Sequence, residues 1–498
     1  MTKRINFEPS LSLMEFRLLP RLTTLESTNG RICLETPFVC PRQNQRKITL
    51  KIPLVAAAMQ SVSGSEMGIE LARLGGVAFI FCSQAIDSQA EMISKIKSHK
   101  AGFVEPYTVS PDTTVKQVEE IRQKQGFSTF PVVSEDDVFL GLITRRDYDP
   151  QAQGHLCVTE RMVPRDRIEV AVNVTDLKQA HTLLVESHQS VLPIVDKADR
   201  LSYLVFRKDA QDQVNNPNEV VDDNKRLLAV AAINTHDYKE RVAALVASEV
   251  DAVAIDSSDG YSVYQGETLK WIRGNYPELP VIGGNVITEE GFDYLVEAGA
   301  QAVKVGMGGG SICITQEQKG TGRGLATALM KVCEARDRYF QETKRYIPIV
   351  ADGGVTTSKD IVIALALGAD YVMMGRYFAR MEESPTEKVQ INNHIMKPYW
   401  GEGSTRARQW SGLRYYHASF VEGVEGFVEY AGKLGDNLDQ MLTKIKAAMS
   451  SCGCATIQEL HENAELELVS PLAIREGQVH DIVQAGSEAG SSLRKWSN

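Results

Sequence analysis

The chain has 498 residues, 43% of them hydrophobic and 24% charged, and its 54 basic against 64 acidic side chains leave a net charge of −10. That length exceeds what one hydrophobic core ordinarily organises, so two or three domains are expected. The acidic balance argues against nucleic acid or an anionic membrane surface as the main partner, so an anionic ligand has to be held locally by backbone amides or a few basic side chains.

No apolar stretch approaches the roughly 18 residues of a membrane span, and the opening Met1–Asn6 leads into no apolar signal core, so a cytoplasmic protein is expected. The eight cysteines (Cys33, Cys40, Cys82, Cys157, Cys313, Cys333, Cys452 and Cys454) are scattered, as suits a reducing compartment. Cys452-Gly453-Cys454 reads as two free thiols in a turn, because no His or second pair is spaced to complete a metal site.

In chain order, short and nearly all-apolar runs occur at Ile52–Ala58, Val77–Phe81, Leu227–Ile233, Val250–Ile255, Leu279–Asn285, Gln301–Met307, Ile347–Asp352 and Asp370–Gly375. Such runs suit parallel strands buried on both faces, and helical patterns at Ser65–Leu74, Asp237–Ala247, Glu289–Ala298 and Ser358–Leu367 lie between several of them. The count predicts a (β/α)8 TIM barrel. A long stretch between the second and third runs breaks the spacing and predicts an insert over 103–218, with the barrel built from 1–102 and 219–498.

The insert repeats itself without a gap: Pro131-Val132-Val133 to Arg145-Arg146-Asp147 aligns with Pro193-Ile194-Val195 to Arg207-Lys208-Asp209. Each copy reads as a helix, a strand pair and a second helix. Two such copies resemble a tandem cystathionine-β-synthase (CBS) pair, a Bateman module, and that resemblance implies a ribose site at a Thr-x-x-Asp. Thr144 and Asp147 fit it, whereas the second copy has Phe206 before Asp209, so one site at most is expected.

The loops after the barrel strands are where chemistry should lie. After the sixth run, Gly306-Met307-Gly308-Gly309-Gly310-Ser311-Ile312-Cys313-Ile314-Thr315 joins glycines that admit close backbone approach, a hydroxyl able to bond a phosphate, and a thiol placed as a nucleophile. Asp352-Gly353-Gly354 and Met374-Gly375-Arg376 form the expected phosphate cradle, Asp352 being placed for both hydroxyls of a ribose. Asp256, in Asp256-Ser257-Ser258-Asp259-Gly260, offers a second ribose carboxylate. After the last strand, the polar, aromatic and basic stretch Tyr399–Trp410 favours a lid over an inert linker.

Taken together, the motif Gly308–Thr315, Asp352-Gly353-Gly354, the insert and the C-terminal stretch resemble the inosine 5′-monophosphate dehydrogenase family over nearly the whole chain. The resemblance implies oxidation of inosine monophosphate to xanthosine monophosphate with NAD, through addition of Cys313 to C2 of the purine. It implies a flap at about 392–416 presenting Arg414, with Tyr415 beside it and Thr315 assisting, to activate water. It assigns Glu422 to the N1 edge of the purine and Ser311, Gly354, Gly375 and Tyr399 to the phosphate. Met59, Gly353, Arg376 and Glu402 complete the implied substrate side. For the dinucleotide it implies Asp256, Ser257, Ser258, Asn285, Gly306 and Gly308, with His236 and Tyr264 at the adenine.

A potassium site is implied at the carbonyls of Gly308, Gly310 and Cys313, completed by Glu476, Gly477 and Gln478 of a neighbouring copy in a homotetramer. The chain departs from the common family pattern at Glu402, where most members have Met; at Gly375-Arg376-Tyr377, where many have Ala-Gly-Thr; at Ala57, where many have Ser; and at Gln478, where Gly is common. His236 and Tyr264 stand where some members have Arg and Trp. Two alternatives are a guanosine monophosphate reductase, which typically lacks the flap and the insert, and a non-catalytic purine-nucleotide sensor.

Overall fold

A computed structural model describes residues 5–42, 45–99, 102–104, 106–215, 218–410 and 421–480. Arg414 and Tyr415, and with them the last part of the expected flap, lie outside the described residues.

The eight apolar runs form the strands β1 (Leu54–Ala56), β2 (Val77–Ile80), β3 (Val230–Ile233), β4 (Ala252–Ile255), β5 (Val281–Val286), β6 (Ala302–Val305), β7 (Ile349–Asp352) and β8 (Tyr371–Met374). Each pairs in parallel with its neighbours and β8 returns to β1, closing the barrel. Every residue of β1 to β6 is buried, which explains why these strands read as continuous apolar runs and not as alternating ones.

The outer ring consists of α1 (Ser65–Arg73), α2 (Ile86–Lys97), α3 (Tyr238–Ala247), α4 (Val263–Asn275), α5 (Glu289–Ala298), α6 (Leu325–Thr343), α7 (Ser358–Ala366) and α8 (Leu434–Ser451). Their ends are locally specified. Thr288 accepts from the Gly291 amide at the start of α5, and Thr357 and Asp360 form a reciprocal cap on α7. The core has two layers: one between strands and helices, and one inside the barrel, where the small Ala232, Ala252, Ala254 and Ala302 leave room for Phe38, Phe79 and Tyr371. The Tyr371 hydroxyl donates to the Phe38 carbonyl at 2.9 Å and closes the N-terminal end of the barrel.

Between β2 and β3 the repeat folds as two related units. In each, a helix (Val115–Gln125; Leu177–Glu186) precedes a strand pair (Thr129–Val133 with Phe139–Thr144; Val191–Val195 with Leu201–Phe206). The second helix follows at once only in the second copy, as Arg207–Asn215. In the first copy Asp147 accepts from the Thr144 amide (2.6 Å) and hydroxyl (2.7 Å), making a turn, and the chain reaches only the short helix Pro150–Gln153. The second helix expected in each copy is therefore full-length only in the second.

The root of this insert is stitched to the barrel by charge. Lys97, the last residue of α2, donates to Asp222 (2.7 Å) and Asp251 (2.8 Å), and the ammonium is nearly fully buried. Burial of a cation is tolerated here because two carboxylates face it. Beyond β8, a three-stranded antiparallel sheet (Val389–Ile391, His394–Trp400, Glu425–Glu429) rises beside the C-terminal mouth of the barrel. Lys397 anchors it: its buried ammonium donates to the carbonyls of Met381 (2.7 Å) and Ser384 (3.0 Å), while burial pulls its pKa down to about 8.

Candidate active site

The C-terminal strand ends open into a cavity of about 420 Å³. Its wall includes Cys313 and the glycine-rich loop before it, Asp256-Ser257-Ser258, Asn285, the Asp352–Gly354 loop, Gly375-Arg376, Met59, Tyr399, Glu402 and Glu422. Most residues singled out in the sequence thus converge here from six of the barrel's strand ends and from the C-terminal sheet.

Two close approaches make the thiol loop what it is. Gly306 ends β6 at φ 136°, and a side chain there would overlap the Asp352 carbonyl oxygen. Gly308 turns at φ 72° with the Gln316 side chain packed against it. The loop then folds back, the Cys313 amide donating to the Gly310 carbonyl at 3.0 Å. A short ladder holds the far side: the Ile314 amide donates to the Glu422 carbonyl (3.1 Å), and the Val424 amide to the Ile312 carbonyl (3.0 Å).

The half-buried thiol of Cys313 lies 3.2 Å from the Thr315 hydroxyl. That hydroxyl donates to the buried Glu422 carboxylate at 3.1 Å, and the other Glu422 oxygen meets the Lys319 ammonium at 2.8 Å. Thiol, hydroxyl, carboxylate and ammonium therefore form one continuous chain of polar contacts from the cavity to the surface.

On the opposite side, Asn285 on β5 donates to Asp352 at 2.8 Å and to the Gly306 carbonyl at 2.9 Å. Burial raises the pKa of the Asp352 carboxyl, and the positive Lys304 and the Asn285 amide act against that rise. Lys304, buried in β6, stands 3.8 Å from Asp256, so one ammonium serves both strand-tip carboxylates. The Tyr399 phenol is pushed up to about 12 by burial, with a hydrogen bond from Ser311 acting the other way.

Some expected residues stand elsewhere. His236 and Tyr264 follow β3 and β4 but are not in the cavity wall, and Tyr264 is 64% exposed. Glu476, Gly477 and Gln478 end a short helix (Pro471–Glu476) beside Arg17, on the strand pair Phe16–Leu18 with Leu466–Leu468. One chain does not bring them to the Gly308–Cys313 loop. Glu402 lines the cavity, but both its carboxylate oxygens are engaged: one accepts from the Gln60 amide at 2.6 Å and the other from the Ser83 hydroxyl.

Lys304 and Lys319 went unnoticed in the sequence. Lys304 carried a signal, as the one charge in the apolar run Ala302-Val303-Lys304-Val305; Lys319 carried none, because only folding brings it to Glu422.

A cavity at this end of a closed parallel barrel, with a thiol in its wall and carboxylates on its strand tips, places the protein among the α/β-barrel enzymes. The sequence profile described as the IMP dehydrogenase / GMP reductase domain matches residues 11–480. The chain is 47% identical to an inosine-5′-monophosphate dehydrogenase of Tritrichomonas foetus over 97% of this chain and 98% of the relative. It is 38% identical to that of Aquifex aeolicus (88% and 90% covered) and 35% identical to that of Schizosaccharomyces pombe (96% and 92% covered). Among solved structures, a cysteine-to-alanine variant of a GMP reductase from Trypanosoma brucei, in complex with guanosine 5′-monophosphate, superposes with a TM-score of 0.79 at 26% identity, covering 96% of this chain and 98% of its own. The chain belongs to the inosine-5′-monophosphate dehydrogenase family and is an enzyme of that kind.

That reductase covers 96% of this chain, so its match extends over the insert, and the insert by itself does not separate this chain from it. The separation rests on identity, 47% to a dehydrogenase over nearly the full length against 26% to that reductase.

Among the described residues no helix is long and apolar enough to cross a membrane, and no cluster of three or more His, Cys, Asp or Glu is arranged to hold a metal ion.

Proposed function

We propose that the protein oxidises inosine 5′-monophosphate to xanthosine 5′-monophosphate with NAD, a step of guanine nucleotide synthesis, by covalent catalysis at Cys313. The observation that carries the reading is the contact chain Cys313–Thr315–Glu422 in a cavity that also holds Asp256 and Asp352. Phosphate binding falls to Ser311, Gly354, Gly375, Arg376 and Tyr399, with Gly353 giving the loop its turn and Met59 and Glu422 meeting the base. Asp352, oriented by Asn285, takes the ribose hydroxyls.

The Cys313 thiol adds across the C2=N3 bond of the purine, its sulfur to C2 and its proton to N3, and the hydrogen at C2 then leaves as hydride. NAD, when bound, is the group that accepts this hydride. Asp256, Ser257, Ser258, Asn285, Gly306 and Gly308 stand at the cavity in positions that suit the dinucleotide; His236 and Tyr264, outside its wall, are assigned to the adenine. Water then breaks the C–S bond, returning the thiol and releasing xanthosine monophosphate. Arg414, Tyr415 and Thr315 are the residues for activating that water.

A potassium ion held by the carbonyls of Gly308, Gly310 and Cys313, with Glu476, Gly477 and Gln478 from a second copy, belongs to the same proposal, as do the homotetramer and a cytoplasmic location. Residues 103–218 are proposed as a CBS regulatory domain for a purine nucleotide. In support, a cavity of about 650 Å³ between the two repeats is lined by Arg145, Arg146, Arg207 and Lys208 together with Thr144.

Purified protein given inosine monophosphate and NAD should form NADH, faster with potassium than without. NADPH consumption with guanosine monophosphate in place of NADH formation would make it a reductase, and silence in both assays would leave a nucleotide sensor. Deleting about residues 103–218 should leave turnover within roughly threefold of the full chain, because no residue of the insert lines the active cavity. Loss of soluble protein and of activity together would count against that assignment.

A further inference from the structure

The network around Glu402 joins the C-terminal sheet to the barrel's first two loops. Glu402 accepts from the Gln60 amide at 2.6 Å and from the Ser83 hydroxyl. The Gln60 side chain accepts from the Trp400 indole at 2.9 Å and donates to the Ser83 carbonyl at 2.8 Å. The Ser61 hydroxyl donates to the Trp400 carbonyl at 3.2 Å. Gln60, Ser61, Ser83 and Trp400 are all buried. Polar groups satisfied this fully inside a protein fix geometry, because breaking one bond strands its partner without water.

What the network holds is the backbone from Trp400 to Ser404, and that backbone lies against the reacting loop. A Cβ on Gly401 would stand 3.4 Å from the Ile312 carbonyl oxygen and 3.3 Å from Gly423 Cα; one on Gly403 would stand 3.1 Å from Glu422 Cβ. A side chain at either position would be tight and would push its neighbours by a few tenths of an ångström. The Gly401 amide also donates to Val424 at 3.1 Å, and Val424 donates to Ile312, the residue before the thiol. A shift of residues 401–403 is thus passed to both Cys313 and Glu422.

We propose that Glu402 is a positioning residue: its carboxylate braces the 400–404 segment against the loops after β1 and β2, rather than meeting substrate, and so sets the place of Cys313 and Glu422. This deepens the proposed function and rests on it for the kinetic readout. Glu402→Ala should lower kcat for NADH formation by about 10- to 100-fold with KM for inosine monophosphate changed less than about threefold, as expected when a reacting group is displaced and substrate contacts are kept. Glu402→Gln should recover most of kcat, since an amide can accept from the Gln60 amide and donate to the Ser83 hydroxyl. Ser83→Ala, a residue outside the cavity wall, should reproduce a smaller loss in kcat alone.

A rise in KM without loss of kcat in Glu402→Ala would make the residue a substrate contact, and a Gln variant as impaired as the Ala variant would make its charge the essential property; either result overturns the brace. A second measurement does not depend on turnover. The rate at which iodoacetamide modifies Cys313, followed by peptide mass mapping in the folded wild type and in Glu402→Ala, should differ several-fold. Equal rates would overturn the proposal even if the protein proved to be a reductase, whereas a missing NADH signal with altered alkylation would indict the assigned activity and leave the brace standing.

Discussion

Cys313→Ala is expected to reduce NADH formation by at least about 10⁴-fold, because a covalent step has no substitute when its nucleophile is gone. Thr315 and Glu422 would remain hydrogen-bonded to each other, and Lys319 would still face Glu422, so the cavity wall should keep its shape. Binding of inosine monophosphate, measured by calorimetry, should therefore survive within about tenfold, since the phosphate and ribose contacts are made by other residues. Cys313→Ser is expected to be almost as inactive, because a hydroxyl gives up its proton far less readily than a thiol. A Cys313→Ala enzyme keeping more than about one hundredth of wild-type turnover would exclude the covalent mechanism.

Gly306→Ala is expected to be the most damaging change of a single methyl group, and through the fold rather than the chemistry. The backbone there has φ 136°, which L side chains rarely adopt, and the added methyl would overlap the Asp352 carbonyl oxygen on the neighbouring strand. Neither atom can yield, because β6 and β7 are paired in the barrel and Asn285 already bonds the Gly306 carbonyl and the Asp352 side chain together. The combined strain and overlap should cost more than about 4 kcal/mol, at the far end of what point changes do. Little soluble protein, or a sharply lowered unfolding temperature with activity absent, is the expected outcome. A Gly306→Ala protein that melts near the wild type would show that the strand ends are looser than their pairing implies. Gly309→Ala is the control, since a Cβ there meets nothing nearer than 3.6 Å.

The eight barrel strands were legible because parallel strands covered on both faces must be short apolar runs, and seven of the predicted runs contain their strands, the fifth strand reaching one residue further, to Val286. Cys313, Asp256 and Asp352 were legible for the same reason at one remove: once the strands are located, the residues at their C-terminal ends are the ones a barrel presents to a ligand. The repeat in 103–218 was visible as self-similarity, and what it concealed was a local competition in which Asp147 turned the chain where its counterpart Asp209 continues a helix. Lys304 was readable but unread. A lone charge inside an apolar strand has to be neutralised by something, and the carboxylates at the tips of β4 and β7 are what it meets.

By itself, then, the sequence determined the barrel, the place of the insert, and which loops carry a thiol, carboxylates and glycines, since those depend on periodicity and on neighbours along the chain. The tertiary structure decided which partners these groups have. That Thr315 and Glu422 join Cys313, that Lys319 reaches Glu422, that Glu402 spends its carboxylate on Gln60 and Ser83, and that His236, Tyr264 and Glu476–Gln478 stand away from the cavity are contacts between residues distant in sequence. No local pattern encodes such contacts, because the energy of a hydrogen bond or ion pair depends on distances of a few ångströms that exist only once the strands and loops have closed around one another.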